Sequence, residues 1–131
     1  MMLVTILISD DNQVFRGEMK RLLEGAQEVT VAEAEDGEEA LRLTQELRPE
    51  VVLMDIVMPR MDGLEATRRI KAAQPETKVI ILTVYDEEPY REAARESSAD
   101  AFLLKQNVMA ELIPTIGALV PAVPVKPKDG S

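Results

Sequence analysis

Five short apolar runs alternate with helical patterns along this chain, and this alternation constrains the fold more than any other feature of its sequence. The runs are rich in Val, Ile and Leu, which is typical of strands buried on both faces of a parallel sheet. They comprise residues 3–8, 29–34, 51–54, 79–82 and 101–104. We therefore predict an α/β fold in which five strands alternate with five helices and the helices cover both faces of the sheet.

The segments between the runs carry apolar residues at helical spacings of three and four. These stripes are Phe15, Met19, Leu22 and Leu23; Ala40, Thr44 and Leu47; Ala66, Ile70 and Ala73; and Met109, Leu112, Ile113, Ile116, Leu119 and Val120. The charged segment 86–97 is interpreted as a surface helix that Asp86 caps and that has Pro89 in its first turn. Pro114 lies inside the last stripe and is expected to kink that helix, at a cost of about 3 kcal/mol if unrelieved.

The composition excludes several kinds of functional site. The 131 residues include no Cys and no His, so the chain can form no disulfide, thiolate nucleophile, zinc finger, Ser-His-Asp triad or His-ligated metal. The net charge of −9 disfavours binding to nucleic acid and to anionic membranes. A bound metal is therefore expected to be a hard cation on oxygen ligands, and any imidazole chemistry must come from a partner.

The chain is predicted to contain one domain, residues 1–120, followed by a proline-rich linker or tail, residues 121–131. Three prolines recur at every third position of this tail, which is typical of an extended, polyproline-like segment. The apolar start of the chain is too short for a signal peptide or a membrane-spanning helix. Together with the absence of Cys, this favours a cytoplasmic protein.

Polar side chains follow four of the five apolar runs. Asp10 and Asp11 follow the first run, Asp55 the third, Thr83 the fourth and Lys105 the fifth. Open parallel sheets bind their ligands beyond the carboxyl ends of the strands. We therefore expect these five residues to share one edge of the sheet and to form a site there.

The residue types at this edge indicate phosphoryl chemistry. Three neighbouring carboxylates repel one another, so at least one is expected to stay protonated unless a cation enters. Carboxylates without His or Cys suit Mg²⁺, with Mn²⁺ as an alternative. The charge of about −3 is balanced by about +3 from Mg²⁺ and Lys105, which leaves room for an anionic substrate. Lys105 and the hydroxyl of Thr83 can both bind phosphoryl oxygens.

These residues resemble the receiver domain of bacterial response regulators, which belong to two-component signal transduction. The resemblance covers residues 3 to about 120 and rests on Asp10 and Asp11, the sequence MDIVMPRMDG at 54–63, Thr83 and Lys105. The amino-acid sequences of segments 82–88 and 102–105 are similar to those of the NarL/LuxR-type subfamily. In this subfamily a linker usually joins the receiver to a helix-turn-helix DNA-binding domain. The resemblance implies a doubly wound, flavodoxin/CheY-like sheet with strand order 2-1-3-4-5.

The resemblance also implies a role for each residue. Asp55 would accept a phosphoryl group as an acyl phosphate from a His of a partner sensor histidine kinase. Asp11 would bind Mg²⁺ directly and Asp10 largely through water, and the backbone carbonyl of Val57 would be another ligand. Lys105 would pair with the phosphoryl group. As the switch, Thr83 would swing toward that group and Phe102 would turn inward.

Such a protein would be a phosphoacceptor that promotes its own phosphorylation and would not turn over an external substrate. Its output would control transcription through a DNA-binding domain absent from this chain, so DNA would be bound only by that domain. A phosphorylation-dependent homodimer is a further hypothesis, and no membrane partner is expected. Two alternatives stay open: a free-standing receiver that acts through protein–protein contacts, and a receiver-like binding module that is not phosphorylated.

Several residues of the site region have two interpretations. Asp10 and Asp11 can equally cap the first helix, Lys105 can be a solvated surface charge, and Phe102 can be a core residue. Tyr85 is either a surface aromatic or a lid over the pocket. Tyr85 and Val57 flank the presumed path of a hydrolytic water, and neither side chain can orient water through a carboxylate or carboxamide. This predicts slow self-dephosphorylation.

Four residues depart from the family pattern. Phe102 stands where Tyr is common, so this position has no hydroxyl. Ser98 and Ala101 stand where the subfamily often has Gly, and Gln106 stands where many relatives have Pro. None of these departures changes the acidic residues, the threonine or the lysine of the predicted site.

Overall fold

The computed structural model describes residues 4–25 and 28–121. Its strands are β1 (Val4–Ser9), β2 (Val29–Ala34), β3 (Val51–Met54), β4 (Lys78–Thr83) and β5 (Ala101–Leu104), and its helices are α1 (Gln13–Glu24), α2 (Gly37–Leu47), α3 (Gly63–Ala73), α4 (Glu88–Glu96) and α5 (Val108–Leu119). The strands form one parallel sheet in the order β2-β1-β3-β4-β5. The predicted fold class and strand order are thereby confirmed. Among the described residues, no helix has the length and apolar character needed to span a membrane.

Two apolar cores, one on each face of the sheet, hold the helices in place. The core between the sheet and α1 and α5 includes Met19, Leu23, Leu112 and Ile116. The opposite core, beneath α2, α3 and α4, includes Ala40, Ala66, Ile70 and Ala94. β3 and β4 lie inside the sheet, and β3 is buried along its whole length. Its unbroken apolar sequence follows from this burial, because neither face of the strand meets water.

The register of the sheet places the predicted site residues at one edge. Ser9 of β1 lies opposite Met54 of β3, so Asp10 and Asp55 leave the sheet side by side. β4 pairs with β5 in the same parallel sense, and Lys105 therefore emerges at the same edge. The site residues are thus positioned by strand pairing, although they are far apart in the chain.

Three helices begin with side-chain caps. The side chain of Asn12 accepts a hydrogen bond from the backbone N–H of Phe15 at 3.1 Å, so Asn12 caps α1 and Asp10 and Asp11 do not. Asp36 caps α2 and Asp62 caps α3 in the same way. Each such cap satisfies backbone donors that have no partner within the helix.

The start of α4 differs from the sequence-based prediction. The N-cap residue is Glu87, whose side chain makes no capping hydrogen bond. Asp86, the predicted cap, instead accepts hydrogen bonds from the guanidinium group of Arg91, one of them at 2.6 Å. The prediction of Asp86 was therefore wrong, because the ion pair takes up its carboxylate. Pro89 does lie in the first turn, as predicted.

The last helix continues through Pro114 from Val108 to Leu119. Leu112 and Ile116 of the predicted stripe are buried, whereas Met109 is 71% exposed and does not contribute to the core. The predicted proline-rich segment falls almost wholly on residues 122–131, outside the described residues, and stays a prediction.

Candidate functional site at the carboxyl edge of the sheet

Three carboxylates converge at the carboxyl edge of the sheet. Asp10, Asp11 and Asp55 each offer one oxygen, and these oxygens lie within 4.8 Å of one another. Asp10 and Asp55 are buried, with exposed fractions of 2% and 8%, whereas Asp11 is exposed. The cluster therefore has a buried floor of two carboxylates and an open rim that a ligand can reach.

The two oxygens of Asp10 have different surroundings. Oδ1 accepts a hydrogen bond from the backbone N–H of Asn12 at 2.8 Å. Oδ2 is buried and forms an ion pair with Nζ of Lys105 at 2.6 Å. A carboxylate oxygen has two lone pairs, so Oδ2 can accept a further ligand beside Lys105. Together with the neighbouring carboxylates, this oxygen fits a hard divalent cation such as Mg²⁺.

Lys105 bridges the cluster and is not a solvated surface charge. Its Nζ lies 2.6 Å from Asp10 and 3.7 Å from Oδ2 of Asp55, and only 16% of its side chain is exposed. The same Nζ also lies 4.3 Å from the centre of the Phe15 ring, at the distance of a cation–π contact. Lys105 is therefore held above the buried carboxylates from two sides.

The acidity of Asp55 is strongly perturbed. Burial, followed by the negative charge of Asp10, raises the pKa of Asp55 from 3.8 to about 7, although Lys105 and the backbone N–H of Ile56 act in the opposite direction. Asp55 therefore keeps its proton to a higher pH than an ordinary aspartate does when no cation is bound. This result agrees with the expectation that one member of the cluster stays protonated when no cation is bound.

Thr83 ends β4 at the same edge and is fully buried. Its Oγ1 accepts a hydrogen bond from the backbone N–H of Tyr85 at 3.1 Å. The ring of Tyr85 stacks on the ring of Tyr90, with centroids 4.7 Å apart. Neither Thr83 nor Tyr85 caps α4, since that helix starts after Glu87.

Two further predicted residues lie nearer the surface. Val57 is 54% exposed in the loop that joins β3 to α3. Phe102 of β5 is half-buried, and the guanidinium carbon of Arg91 lies 4.7 Å from the centre of its ring. Phe102 thus packs at the edge of a core and also contacts a charged side chain at the surface.

The loop after β3 is tightly packed against its neighbours. The backbone N–H of Gly63 donates to the carbonyl of Ile56 at 2.7 Å, and a Cβ atom at Gly63 would lie 1.8 Å from the carbonyl oxygen of Asp55. Glycine is required there by the close approach of two backbones. Arg60, in the interior of the loop, adds an ion pair of 2.8 Å to the buried carboxylate of Asp36 at the start of α2.

Sequence reasoning missed several residues that support the site: Phe15, Arg16, Asp36, Arg60 and Gly63. The sequence did contain a sign of the role of Arg16, because this charged residue lies on the apolar face of α1, three residues before Met19. The Asp-Gly pair at 62–63 entered the sequence analysis only as part of the motif at 54–63, without a packing role. The close contact between Gly63 and the backbone of Asp55 depends on tertiary packing, which a local pattern does not reveal.

Residues 6–117 match the family model of the response regulator receiver domain, and the chain belongs to this family. Among curated proteins, the chain is 40% identical over 114 residues to the transcriptional regulatory protein DegU of Brevibacillus brevis, which covers 86% of this chain and 48% of DegU. It is 37% identical over 117 residues to the transcriptional regulatory protein LiaR of Bacillus subtilis, and this match covers 88% of this chain and 56% of LiaR. The chain spans about half the length of such relatives.

Solved structures show the same relationship. A two-component response regulator of the LuxR family from Aurantimonas sp. superposes with a TM-score of 0.85 at 32% identity, covering 91% of this chain and 86% of that one. A DNA-binding response regulator of the LuxR family from Staphylococcus aureus superposes with a TM-score of 0.84 at 33% identity, covering 89% of this chain and 98% of that one. The predicted resemblance to receiver domains of the NarL/LuxR type is thereby confirmed.

Proposed function

We propose that this domain is a magnesium-dependent phosphoacceptor and that Asp55 is the residue that becomes phosphorylated. The observation that supports this most strongly is the convergence of three carboxylate oxygens within 4.8 Å, with Nζ of Lys105 2.6 Å from Asp10 and 3.7 Å from Asp55. This combination of charges suits an incoming phosphoryl group. Membership of the receiver family supports the same assignment.

Each side chain has a role in the proposed transfer. An oxygen of the Asp55 carboxylate attacks phosphorus, the new O–P bond forms, and the bond from phosphorus to the leaving group breaks. Asp10, Asp11, Asp55 and the carbonyl of Val57 would hold Mg²⁺, which neutralises charge on the phosphoryl oxygens when bound. Lys105 pairs with one phosphoryl oxygen, and the Thr83 hydroxyl donates to another.

The proposed switch follows from this change of charge. Phosphorylation adds about −1.5 to −2 charge at Asp55, which favours movement of the Thr83 hydroxyl toward the phosphoryl group. That movement breaks the hydrogen bond from the Tyr85 N–H and leaves space for Phe102 to turn inward. The Phe102 ring would then lose its contact with Arg91, and the surface formed by α4, β5 and α5 would change.

The phosphoryl donor is proposed to be a His of a sensor histidine kinase, since the chain has no His of its own. The output is proposed to be control of transcription through a DNA-binding domain outside this chain. Matching relatives are named as transcriptional regulatory proteins and are about twice as long as the matched region. A phosphorylation-dependent homodimer and a cytoplasmic location belong to the same proposal.

Phosphorylation by a small-molecule donor tests the proposal. The purified chain is incubated with acetyl phosphate and Mg²⁺, and intact mass is measured for an added phosphoryl group. Asp55→Asn should abolish the addition, whereas Asp62→Asn should retain it, because Asp62 is exposed and Asn also caps helices well. Addition that survives Asp55→Asn would remove Asp55 from its role. Absence of addition to the unmodified chain would favour the non-phosphorylated binding module.

A further inference from the structure

Arg16 is a buried charged residue on the apolar face of α1. Its exposed fraction is 8%, and it lies in line with the buried residues Met19 and Leu23 of the same helix. Burial of a guanidinium group is costly unless its donors are paired. The partners of Arg16 therefore indicate why a charge lies where the helix otherwise presents apolar side chains.

Arg16 links the edge strand to the acidic loop. Its Nε donates to Oε1 of Glu33 on β2 at 3.0 Å, and its Nη1 donates to the main-chain carbonyl of Asp10 at 2.6 Å. The backbone N–H of Asp10 donates to the carbonyl of Ala34 at 3.0 Å. The main chain of Asp10 is thus fixed on both sides, by β2 and by Arg16.

The carbonyl that Arg16 holds belongs to the peptide group that joins Asp10 to Asp11. Because a peptide group is planar, fixing its oxygen also fixes the plane in which the backbone N and Cα atoms of Asp11 lie. Asp11 is exposed, and packing around its side chain therefore restrains it little. The orientation of its carboxylate toward Asp55 depends on that peptide plane.

We propose that Arg16 is a positioning residue for the divalent-cation site, acting through the Asp10 carbonyl; the inference rests on the proposed function. Arg16 makes no contact with the carboxylates themselves among the hydrogen bonds and ion pairs of the described residues. Its contribution is to hold Asp10 and Asp11 in a geometry that a cation can use without rearrangement. Removal of a residue that orients metal ligands without touching the metal typically lowers metal affinity by about 10- to 100-fold.

The sign of the effect separates positioning from simple electrostatics. Arg16 carries a positive charge, so its removal would strengthen cation binding if only its charge mattered. If it positions the loop, its removal weakens cation binding instead. Glu33 already offsets the charge of Arg16 at 3.0 Å, which makes the direct electrostatic effect small.

Titration calorimetry with Mg²⁺ tests the inference on the folded chain. Arg16→Met should raise the Kd by about tenfold, and Arg16→Lys should fail to restore it, because one ammonium cannot meet both acceptors as the guanidinium does. Lys20→Met is the matched control: Lys20 is also on α1 and lies 3.9 Å from Glu33, and this variant should leave the Kd within about twofold.

A kinetic measurement separates positioning from general damage to the fold. The Mg²⁺ concentration for half-maximal phosphorylation by acetyl phosphate should rise about tenfold in Arg16→Met, while the rate at saturating Mg²⁺ stays within about twofold. If Arg16→Met does not fold, Arg16→Lys and Glu33→Gln take its place, and both should weaken Mg²⁺ binding. An unchanged or lower Kd in the folded variants overturns the inference, as does full rescue by Lys. Failure of the unmodified chain to bind Mg²⁺ would instead refute the proposed function.

Discussion

Replacement of Asp55 by Asn should stabilise the metal-free protein, and the gain should depend on pH. Burial and the charge of Asp10 raise the pKa of Asp55 from 3.8 to about 7. A raised carboxyl pKa favours the fold at low pH, and that stability is lost as pH rises toward the folded-state pKa. At pH 8 the folded protein therefore carries the full cost of an ionised, buried carboxylate.

The expected magnitude follows from the size of this shift. Each pKa unit corresponds to about 1.36 kcal/mol, so the raised pKa of Asp55 lowers unfolding free energy, relative to strongly acidic pH, by about 4 kcal/mol at pH 8 and by about 2 kcal/mol at pH 5, where only the unfolded chain has ionised this carboxyl group. Asn has nearly the same shape and cannot ionise. The difference in unfolding free energy between Asp55→Asn and the unmodified chain should therefore increase by about 2 kcal/mol from pH 5 to pH 8.

Urea unfolding followed by circular dichroism, with EDTA at both pH values, measures this difference. Titrations of groups that do not interact with Asp55 affect both proteins alike and cancel. Asp62→Asn, in the same loop, should show no such pH-dependent gain. Mg²⁺ at about 100 times its Kd should stabilise the unmodified chain by about 2.7 kcal/mol and the Asn variant by less. A difference that is equal at pH 5 and pH 8, or an unmodified chain more stable than Asp55→Asn at pH 8 in EDTA, would refute the reasoning.

Five other substitutions have expected outcomes that follow from backbone geometry and from the proposed site. Gly63→Ala should lower unfolding free energy by about 3 kcal/mol, because its Cβ would lie 1.8 Å from a carbonyl oxygen; Gly17→Ala, inside α1, should raise it by about 1 kcal/mol. Ser98 has a φ of 71°, so Ser98→Gly should stabilise the fold by about 0.5–1 kcal/mol. As a control, Glu96→Gly in the last turn of α4 should destabilise the fold by about 1 kcal/mol. Urea unfolding measures the stability of all four of these variants. Tyr85→Ala should shorten the lifetime of the acyl phosphate severalfold if Tyr85 shields it from water; an unchanged lifetime, or decay of the unmodified phosphoprotein within seconds, would contradict the shielding hypothesis.

The strands could be predicted from sequence because burial on both faces leaves an unbroken apolar run. The predicted bounds of β2, β3 and β5 match the structure, and β4 extends one residue further at each end, at Lys78 and Thr83. The polar residues at the two ends of β4 carry no apolar signal, which explains why the predicted strand is shorter. The strand order also agrees, but it came from the resemblance, since apolar runs carry no information about pairing.

The acidic residues of the candidate site were also visible in the sequence, since parallel strands bring their carboxyl ends together. The contacts around these acidic residues were not visible in the sequence, because they join segments that are distant in the chain. The ring of Phe15 beneath the Lys105 ammonium and the contact of Arg16 with Asp10 depend on how α1 packs across the sheet. The prediction of Asp86 as a cap failed for a local reason: its ion pair with Arg91, five residues further along the chain, competes with capping.

The stacked tyrosines make the chain a spectroscopic reporter of its own switch region. Tyr85 and Tyr90 are its only tyrosines, and it contains no tryptophan. Absorbance near 280 nm and intrinsic fluorescence therefore arise from two rings 4.7 Å apart, one of which adjoins the backbone N–H that hydrogen-bonds to Thr83. Any rearrangement around Thr83 that separates the rings would change ring–ring coupling and tyrosine emission. The conformational change could thus be followed in real time without an attached dye.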